Sequence, residues 1–433
     1  MNPAGVMNRM LPATPTRPVR RGRPRSARRL LALALCVPAL AVGAPAREAS
    51  YVREGAGLVH RVEASVPLER ARVRVQTDLG SVRITAGAAG TTEVSYRIQV
   101  RAAGARDDEA AARRLLDRLA VSASRSGEEI LFLGELRGDT VPPAGLAAQF
   151  ELTVPPGTPG LEVATGQGDV SVFGVGGPVT LRVGAGIIEV RAVGGMLRAE
   201  TGGGRIEATD LGGGAQLVSG AGGVRVENAR GDVTVRTSGG EIVIGRVTGR
   251  VRGESGGGSV RIDEAGGEVV AETTGGNITI GRAGGRITAV TAGGSIRVGS
   301  AGAGARCETS AGSIDLRAVD GPIHAVTSAG SIRADLGPPR GVPWNGDSSL
   351  ETWQGDVVLS LPESIHLSIR AMVDNPVGRA IRSDFPLTIV RDIEAAGRPM
   401  EIAEGAIGKG GPVLKLRTLG GNIVILKTSE AGR

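Results

Sequence analysis

The stretch Thr273–Ser300 reads TTGGNITIGRAGGRITAVTAGGSIRVGS: a Gly-Gly pair, an Ile two places on, and the same phrase again eighteen residues later. Working outward from it, the glycines that stand two places before an aliphatic residue fall at Gly168, Gly186, Gly204 and onward in unbroken steps of 18 to Gly330. A second series, Gly177, Gly195, Gly213 and so on to Gly321, lies halfway between them, with Ala303 its one exception, so the unit is nine residues. A short fixed period of this kind is the signature of a solenoid.

The columns say what each position does. Two places after the first glycine stand Val170, Ile188, Ile206, Val224, Ile242 and their successors to Ile332; four places after stand Val172, Val190, Ala208, Val226, Ile244 and on to Ala334. The position between them holds Ser171, Glu189, Glu207, Arg225, Val243, Arg261, Thr279, Arg297, Asp315 and Arg333. Aliphatic and polar residues that alternate in this way describe a strand with one dry and one wet face. The second half-repeat alternates too, with smaller inner residues (Ala199, Ala271, Ala289, Cys307, Ala325), so that two sheets can close on one another. A hydroxyl column, Thr201, Ser219, Thr237, Ser255, Thr273, Thr291, Thr309 and Thr327, ends the second strand, where it can bond a corner amide or the hydroxyl above. The expected fold is an all-β parallel β-solenoid, a β-helix of 18-residue coils made of two nine-residue halves. Ten such coils at about 4.8 Å would span roughly 45–50 Å.

Composition agrees with this reading. Seventy glycines and eight aromatic residues in 433 cannot furnish a core of large rings, so burial must come from stacked Val, Ile, Leu and Ala. The formal net charge of +7 is misleading, because eight arginines and no acidic residue precede residue 47. With those set aside, 43 basic side chains face 44 acidic ones, and nucleic acid is not an expected partner. Residues 1–46 themselves, with RRGRPRSARRLLALALCVPALAVGAPA at their end, have the layout of a cleaved secretory signal peptide. Export to the periplasm, the cell surface or the medium is therefore expected, with no transmembrane span after cleavage. Cys307 is then the one cysteine left, and no internal disulfide can form.

The flanks break the period. Residues 47–160 read as a β-rich N-terminal cap with a helix near 107–119, started by Asp107 or Asp108 and carrying Ala111, Leu115 and Leu119 on one face. The solenoid is assigned to 161–336. Residues 337–433 read as an insertion loop followed by a C-terminal β cap, since a solenoid needs covered ends.

With its export signal and its repeated SGGEIVI, TGGNITI and SAGSIRA units, the chain resembles the bacterial "putative adhesin" β-strand-repeat family, also described as the toastrack domain. The resemblance covers most of residues 60–430. It implies an exported or surface-associated, non-enzymatic scaffold, in some members tied to envelope-stress signalling. From the export signal, the uninterrupted period and the lack of a convergent polar cluster, another envelope protein or a glycan is expected as partner, met by the regular Ser, Thr and Arg surfaces or by the capped ends.

The residues offer little convergent chemistry. Gly253–Gly257 (GESGG) fits a nucleophile-elbow pattern, but Ser255 belongs to the hydroxyl column and no helix follows it. Asp169 and Asp232 follow corner glycines, yet the same offset elsewhere holds Arg, Glu, Ser and Asn, so a calcium ladder is not expected. His60, His324 and His366 are scattered, and Cys307 sits in an inward alanine column. No cofactor, metal or catalytic residue is expected, and the chain is read as a monomer and not as an enzyme. Trp344 and Trp353, rare aromatics in the aperiodic insertion, and the outward Arg261, Arg297 and Arg333 are the candidate partner contacts. One alternative is a polysaccharide-degrading β-helix enzyme using Glu189 and Glu207, one coil apart. Another is end-to-end polymerisation through removable caps.

Overall fold

The computed structural model describes residues 47–104, 108–138, 141–336, 346–376, 378, 380–395 and 398–428. The signal peptide assigned to residues 1–46 and the candidate contact Trp344 lie outside them.

The nine-residue beat becomes two parallel sheets facing one another. Sheet A collects the first half-repeats: Val170–Phe173, Ile188–Val193, Ile206–Leu211 and each successor to Ile332–Asp335, all paired in parallel with a register step of eighteen. Sheet B collects the second, from Leu161–Gln167 and Val179–Ala185 through Ile287–Thr291 to Ile323–Ala329. The alternation is obeyed at every coil, as in Val260–Ala265, where Val260 and Ile262 are buried while Arg261 and Asp263 are exposed. The inward columns pack into one continuous core. Each fully buried Val, Ile or Leu there contributes about 1.5–3 kcal/mol relative to exposure.

The corner glycines are required for close approach. At Gly240 an added Cβ would sit on the peptide of Gly222 and 2.5 Å from Gly223 N, while the backbone there stays outside the left-handed region. Successive coils therefore touch backbone to backbone, which no side chain permits.

Two hydrogen-bond ladders fasten these corners. Each hydroxyl of the Thr/Ser column donates to the carbonyl of the corner glycine one coil below, and from Thr201 to Thr309 it also accepts from an amide of its own corner. Thr291 Oγ1 donates to Gly276 O at 2.9 Å and accepts from Gly294 N at 3.2 Å. The corner amide was expected as a partner; the second partner is a carbonyl, not a neighbouring hydroxyl. The other ladder runs through the residue after the glycine: Asn277 Oδ1 accepts from Ser295 N at 2.8 Å, and Ser295 Oγ from Ser313 N at 3.2 Å. Asp169 serves it likewise, accepting from Ile187 N at 2.7 Å, and Asp232 does the same at the opposite corner, accepting from Arg250 N at 2.8 Å. These carboxylates hold backbone amides.

The winding extends beyond the expected limits of 161 and 336. Arg72–Leu79 and Ser81–Ala86 pair in parallel with Leu161–Gln167 and Val170–Phe173, and Glu129–Leu136 and Leu146–Val154 form a further coil outside them. At the other end Ser348–Gln354 and Val357–Pro362 continue the stack. Next comes Val413–Thr418 with Ile423–Thr428, and outermost Leu367–Asp374 with Ile381–Ser383. Fifteen coils are present among the described residues. The eighteen-residue step hides the additional ones because hairpins and loops are inserted between them.

True caps remain, made of antiparallel strands. Arg47–Glu54, Gly57–Pro67 and Glu93–Ala102 extend sheet A past Leu146–Val154, and Leu119–Ser126 borders sheet B. Arg398–Ile407 and Thr388–Ala395 close sheet B at the far end. The helix spans Glu109–Leu116, capped by Asp108, whose side chain accepts from Ala111 N at 2.8 Å. Its buried residues are Ala112 and Leu116, with Leu115 partly buried, and Leu119 already begins a strand. Leu115 and Leu119 of the expected face thus pack against the core and Ala111 gives way to Ala112, with Leu119 doing so from a strand because the helix ends a turn earlier than the periodicity implied. The large rings gather at the N-terminal end of the core, where Tyr96 meets Phe132 edge-on at 5.0 Å and Phe150 is fully buried.

Candidate binding face

Parallel register converts the sequence columns into physical rows on the outside of sheet A. Residues eighteen apart stand side by side at about 4.8 Å. Arg261, Arg297 and Arg333 fall in one such row, separated by Thr279 and Asp315. All three are exposed. Arg261 donates to Asp263 at 2.9 Å, and Arg297 lies 3.8 Å from Asp315. Trp353 is 64% exposed but sits on a sheet B corner, after Thr352 and beside Leu419. The structure thus brings the three arginines together and leaves Trp353 apart from them.

Glu189 and Glu207 are register partners on adjacent strands, as their spacing implied. Each has its own arginine: Arg191 at 2.6 Å from Glu189 and Arg205 at 2.9 Å from Glu207. Ser255 lies in the hydroxyl ladder, donating to Gly240 O and accepting from Gly258 N, both at 2.9 Å. Its hydroxyl is committed to the corner.

The histidines stay scattered. His324 is exposed near Ser349, His366 accepts from Lys409 N at 3.1 Å, and His60 stacks on Tyr51 at 5.0 Å. Burial lowers the His60 pKa, and nearby Asp117 opposes that shift. Cys307 is fully buried, which pushes its thiol up to about 12. Among the described residues no three His, Cys, Asp or Glu side chains are grouped to hold a metal ion.

The richest polar surface lies further toward the N-terminus. There the antiparallel cap strands join the parallel coils, and the rows continue across the junction. One row runs Glu63, Arg97, Glu151, Arg83, Ser171, Glu189; beside it runs Ser65, Ser95, Thr153, Thr85, Phe173, Arg191. Arg97 bridges Glu63 at 2.6 Å and Glu151 at 3.5 Å, and the Glu63 hydrogen bond foremost raises its pKa. Gln149 donates to Glu151 at 2.9 Å. Arg83 makes no ion pair among the described residues. It lines both of two adjoining grooves: one of about 670 Å³ bordered by Glu63, Ser65, Ser95, Arg97 and Thr153, and one of about 350 Å³ bordered by Gln149, Asp169, Ser171, Glu189 and Arg205. Phe173 is half-buried, with the Arg191 guanidinium 6.0 Å from its ring centroid.

A groove of similar size follows a sheet B corner past Val218, Arg236, Glu254, Glu272 and Val290. Glu254 bonds Arg252 and Arg236, and Arg252 lies 3.5 Å from Glu272. Burial alone would raise the Glu254 pKa, but the two guanidinium bonds together outweigh it and the net shift is downward. Its charges are spent on one another.

The sequence pointed to neither Arg83 nor Phe173, both of which lie in parts of the chain read as cap or as ordinary repeat. The available signal was the phrase Thr77-Asp-Leu-Gly80-Ser-Val82-Arg-Ile84, which repeats Thr165…Gly168…Val170…Val172.

No protein-family model matches this chain. No curated protein matches it either. Among solved structures, a "putative cell adhesion protein" from Clostridium sporogenes ATCC 15579 is similar over 84% of this chain and 99% of its own, at 8% identity and a TM-score of 0.16. The fold assigned here rests on the strand pairing above. Among the described residues no helix is long and apolar enough to cross a membrane.

Proposed function

We propose that the chain is an exported, non-catalytic scaffold of the cell envelope, adhesin-like, that holds another envelope protein or a glycan on its regular outer faces. The observation that carries this reading is the outside of sheet A, where register-matched rows of charged and hydroxyl side chains run from the cap strands into the coils. A rigid surface of this kind offers many weak polar contacts in a fixed spacing, which suits an extended partner. The dry core supplies the stiffness.

The test is to fix the full-length exported protein on a support, pass envelope extract and purified cell-wall polysaccharides over it, and examine a deletion strain for surface phenotypes. Retention of a defined envelope component together with altered surface properties is expected. No retained component and an unchanged surface would refute the reading.

The enzymatic alternative is supported by the side-by-side Glu189 and Glu207, although each is ion-paired. Screening neutral and uronate polysaccharides for cleavage decides between the two, with Glu207→Gln as the control.

A further inference from the structure

We infer that the outer face of sheet A around Arg83 and Phe173 binds a carboxylate-bearing polysaccharide, with Arg83 as the anion contact and Phe173 as the sugar platform. The inference rests on the scaffold reading above and gives it a site and a ligand class.

The argument begins with charge. Glu63, Arg97 and Glu151 neutralise one another, and Glu189 and Glu207 each hold an arginine. Arg83 is left as a guanidinium without a carboxylate, at the junction of the two grooves. A planar guanidinium takes a carboxylate through two parallel hydrogen bonds, a geometry that lysine cannot reproduce. Of the arginines that line these two grooves, Arg97 and Arg205 hold carboxylates and Arg83 holds none among the described residues, so the site fits a ligand that presents one carboxylate to this face at a time. Nucleic acid binding draws on several phosphate contacts at once and does not fit. A protein interface is built around several buried apolar anchors and does not fit a face with one ring.

Next come the neighbours. Thr85 lies beside Thr153 on one side and Phe173 on the other, and Ser171 lies beside Arg83. Hydroxyls both donate and accept, so a row of them meets the hydroxyls of a sugar chain in either role. Because the row runs across the strands, successive contacts are about 4.8 Å apart. That step is close to the length of one hexose unit in an extended chain, so consecutive sugars meet successive side chains of the row. Phe173 supplies an apolar ring for the C–H face of a pyranose. Arg191 lies at the outer limit of a cation–π contact with it and can yield that place to a sugar.

The experiment measures binding of the full-length protein to polygalacturonate, dextran and dextran sulfate by affinity electrophoresis and calorimetry at physiological salt. The variants are Arg83→Gln, Phe173→Ala and, on a sheet A strand but already bonded to Glu264, Arg246→Gln. Polygalacturonate is expected to bind saturably, dextran at least tenfold more weakly. Arg83→Gln should weaken polygalacturonate binding about ten- to a hundredfold and Phe173→Ala about fivefold or more, with Arg246→Gln unchanged and all circular dichroism spectra alike. The inference is overturned if dextran sulfate binds as well as polygalacturonate with the same dependence on Arg83, since charge density alone would then be read. It is equally overturned if Arg83→Gln and Arg246→Gln behave alike. Polysaccharide binding that ignores Arg83 would remove this site while leaving the scaffold reading intact, whereas failure to bind any envelope component removes both.

Discussion

Gly257 and Gly258 are neighbours in one corner, and the coil geometry assigns them opposite responses to the same substitution. An alanine Cβ at Gly258 would lie 2.7 Å from Glu241 N, with the Gly240 peptide nearer still. At Gly257 it meets nothing within 4 Å, and the backbone is not left-handed there. Relieving the clash at Gly258 means moving one coil off the next by about 1.3 Å, the distance that Gly240 O must gain to reach ordinary contact at 3.4 Å. The bonds that cross this corner resist it: Ser255 Oγ to Gly240 O at 2.9 Å, and Thr273 Oγ1 to Gly258 O at 2.8 Å. Overpacking against a fixed backbone costs about 1–3 kcal/mol, and each weakened hydrogen bond adds about 1 kcal/mol. Gly258→Ala should therefore destabilise the coil by about 2–4 kcal/mol. Gly257→Ala should stabilise it by about 0.4–1 kcal/mol through the unfolded chain. In a stack where each coil touches only its neighbours, the loss is local. Native-state hydrogen exchange, read on peptides spanning residues 240–276, should show opening more frequent in the Gly258 variant than in the Gly257 variant, by a factor of about fifty to a thousand or more. Equal exchange in the two, or a less stable Gly257→Ala, would refute the close-approach account of the corner glycines.

Thr291→Val keeps the shape but removes a hydroxyl that serves both Gly276 O and Gly294 N, so a loss of about 1–3 kcal/mol is expected in urea unfolding, with Thr291→Ser losing clearly less. Cys307 should resist alkylation in the folded protein and react only on unfolding. Its folded-state pKa of about 12 lies above the ordinary thiol value of about 8.5, so the stability contributed by the neutral thiol is complete below that value. That stability is lost as pH rises through the window between them, and alkaline unfolding of Cys307→Ala should lack this component. Asp232 titrates below its usual range, first because it accepts the Arg250 backbone amide and then because it bonds the Arg250 side chain. Its stabilising effect is therefore present above the ordinary carboxylate pKa and fades as pH falls, a trend that Asp232→Asn should flatten in acid unfolding followed by circular dichroism.

The period made the middle of the molecule legible because a parallel stack repeats its environment: a column of Val170, Ile188 and Ile206 in sequence is a column in space. The hydroxyl column was readable for the same reason. The Ser and Asn residues after each corner glycine were read for their failure to bind calcium, whereas their work is to accept the amide one coil on, as Asn277 does for Ser295. Outside 161–336 periodicity loses its force. The coil at 72–86 is separated from its spatial neighbour at 161–173 by a helix and four strands, and only the local phrase around Gly80 marks it. Phe173 gave no signal as one residue in an ordinary outward position. Its meaning comes from Thr85 beside it, a neighbour that only strand pairing reveals.

The ends share one arrangement, and it bears on where function can lie. The first coil, 72–86, is held between 161–173 and the later-made 129–154; the last, 413–428, is held between 348–362 and the earlier-made 367–383. Neither terminal coil is outermost, so fraying from a chain end means extracting strands paired on both sides. Beyond them the direction changes, with antiparallel strands at the N-terminal end of both sheets and at the C-terminal end of sheet B. A second copy would meet at those antiparallel edges a register that does not continue its own. In the middle, translation by one coil returns a similar surface, and its charges pair along the stack, as Arg236 with Glu254 and Arg246 with Glu264. A unique site requires that this symmetry be broken. It breaks where Gly57–Pro67 and Glu93–Ala102 join the coils, and those strands contribute Glu63, Ser65, Ser95 and Arg97 to the face that contains Arg83.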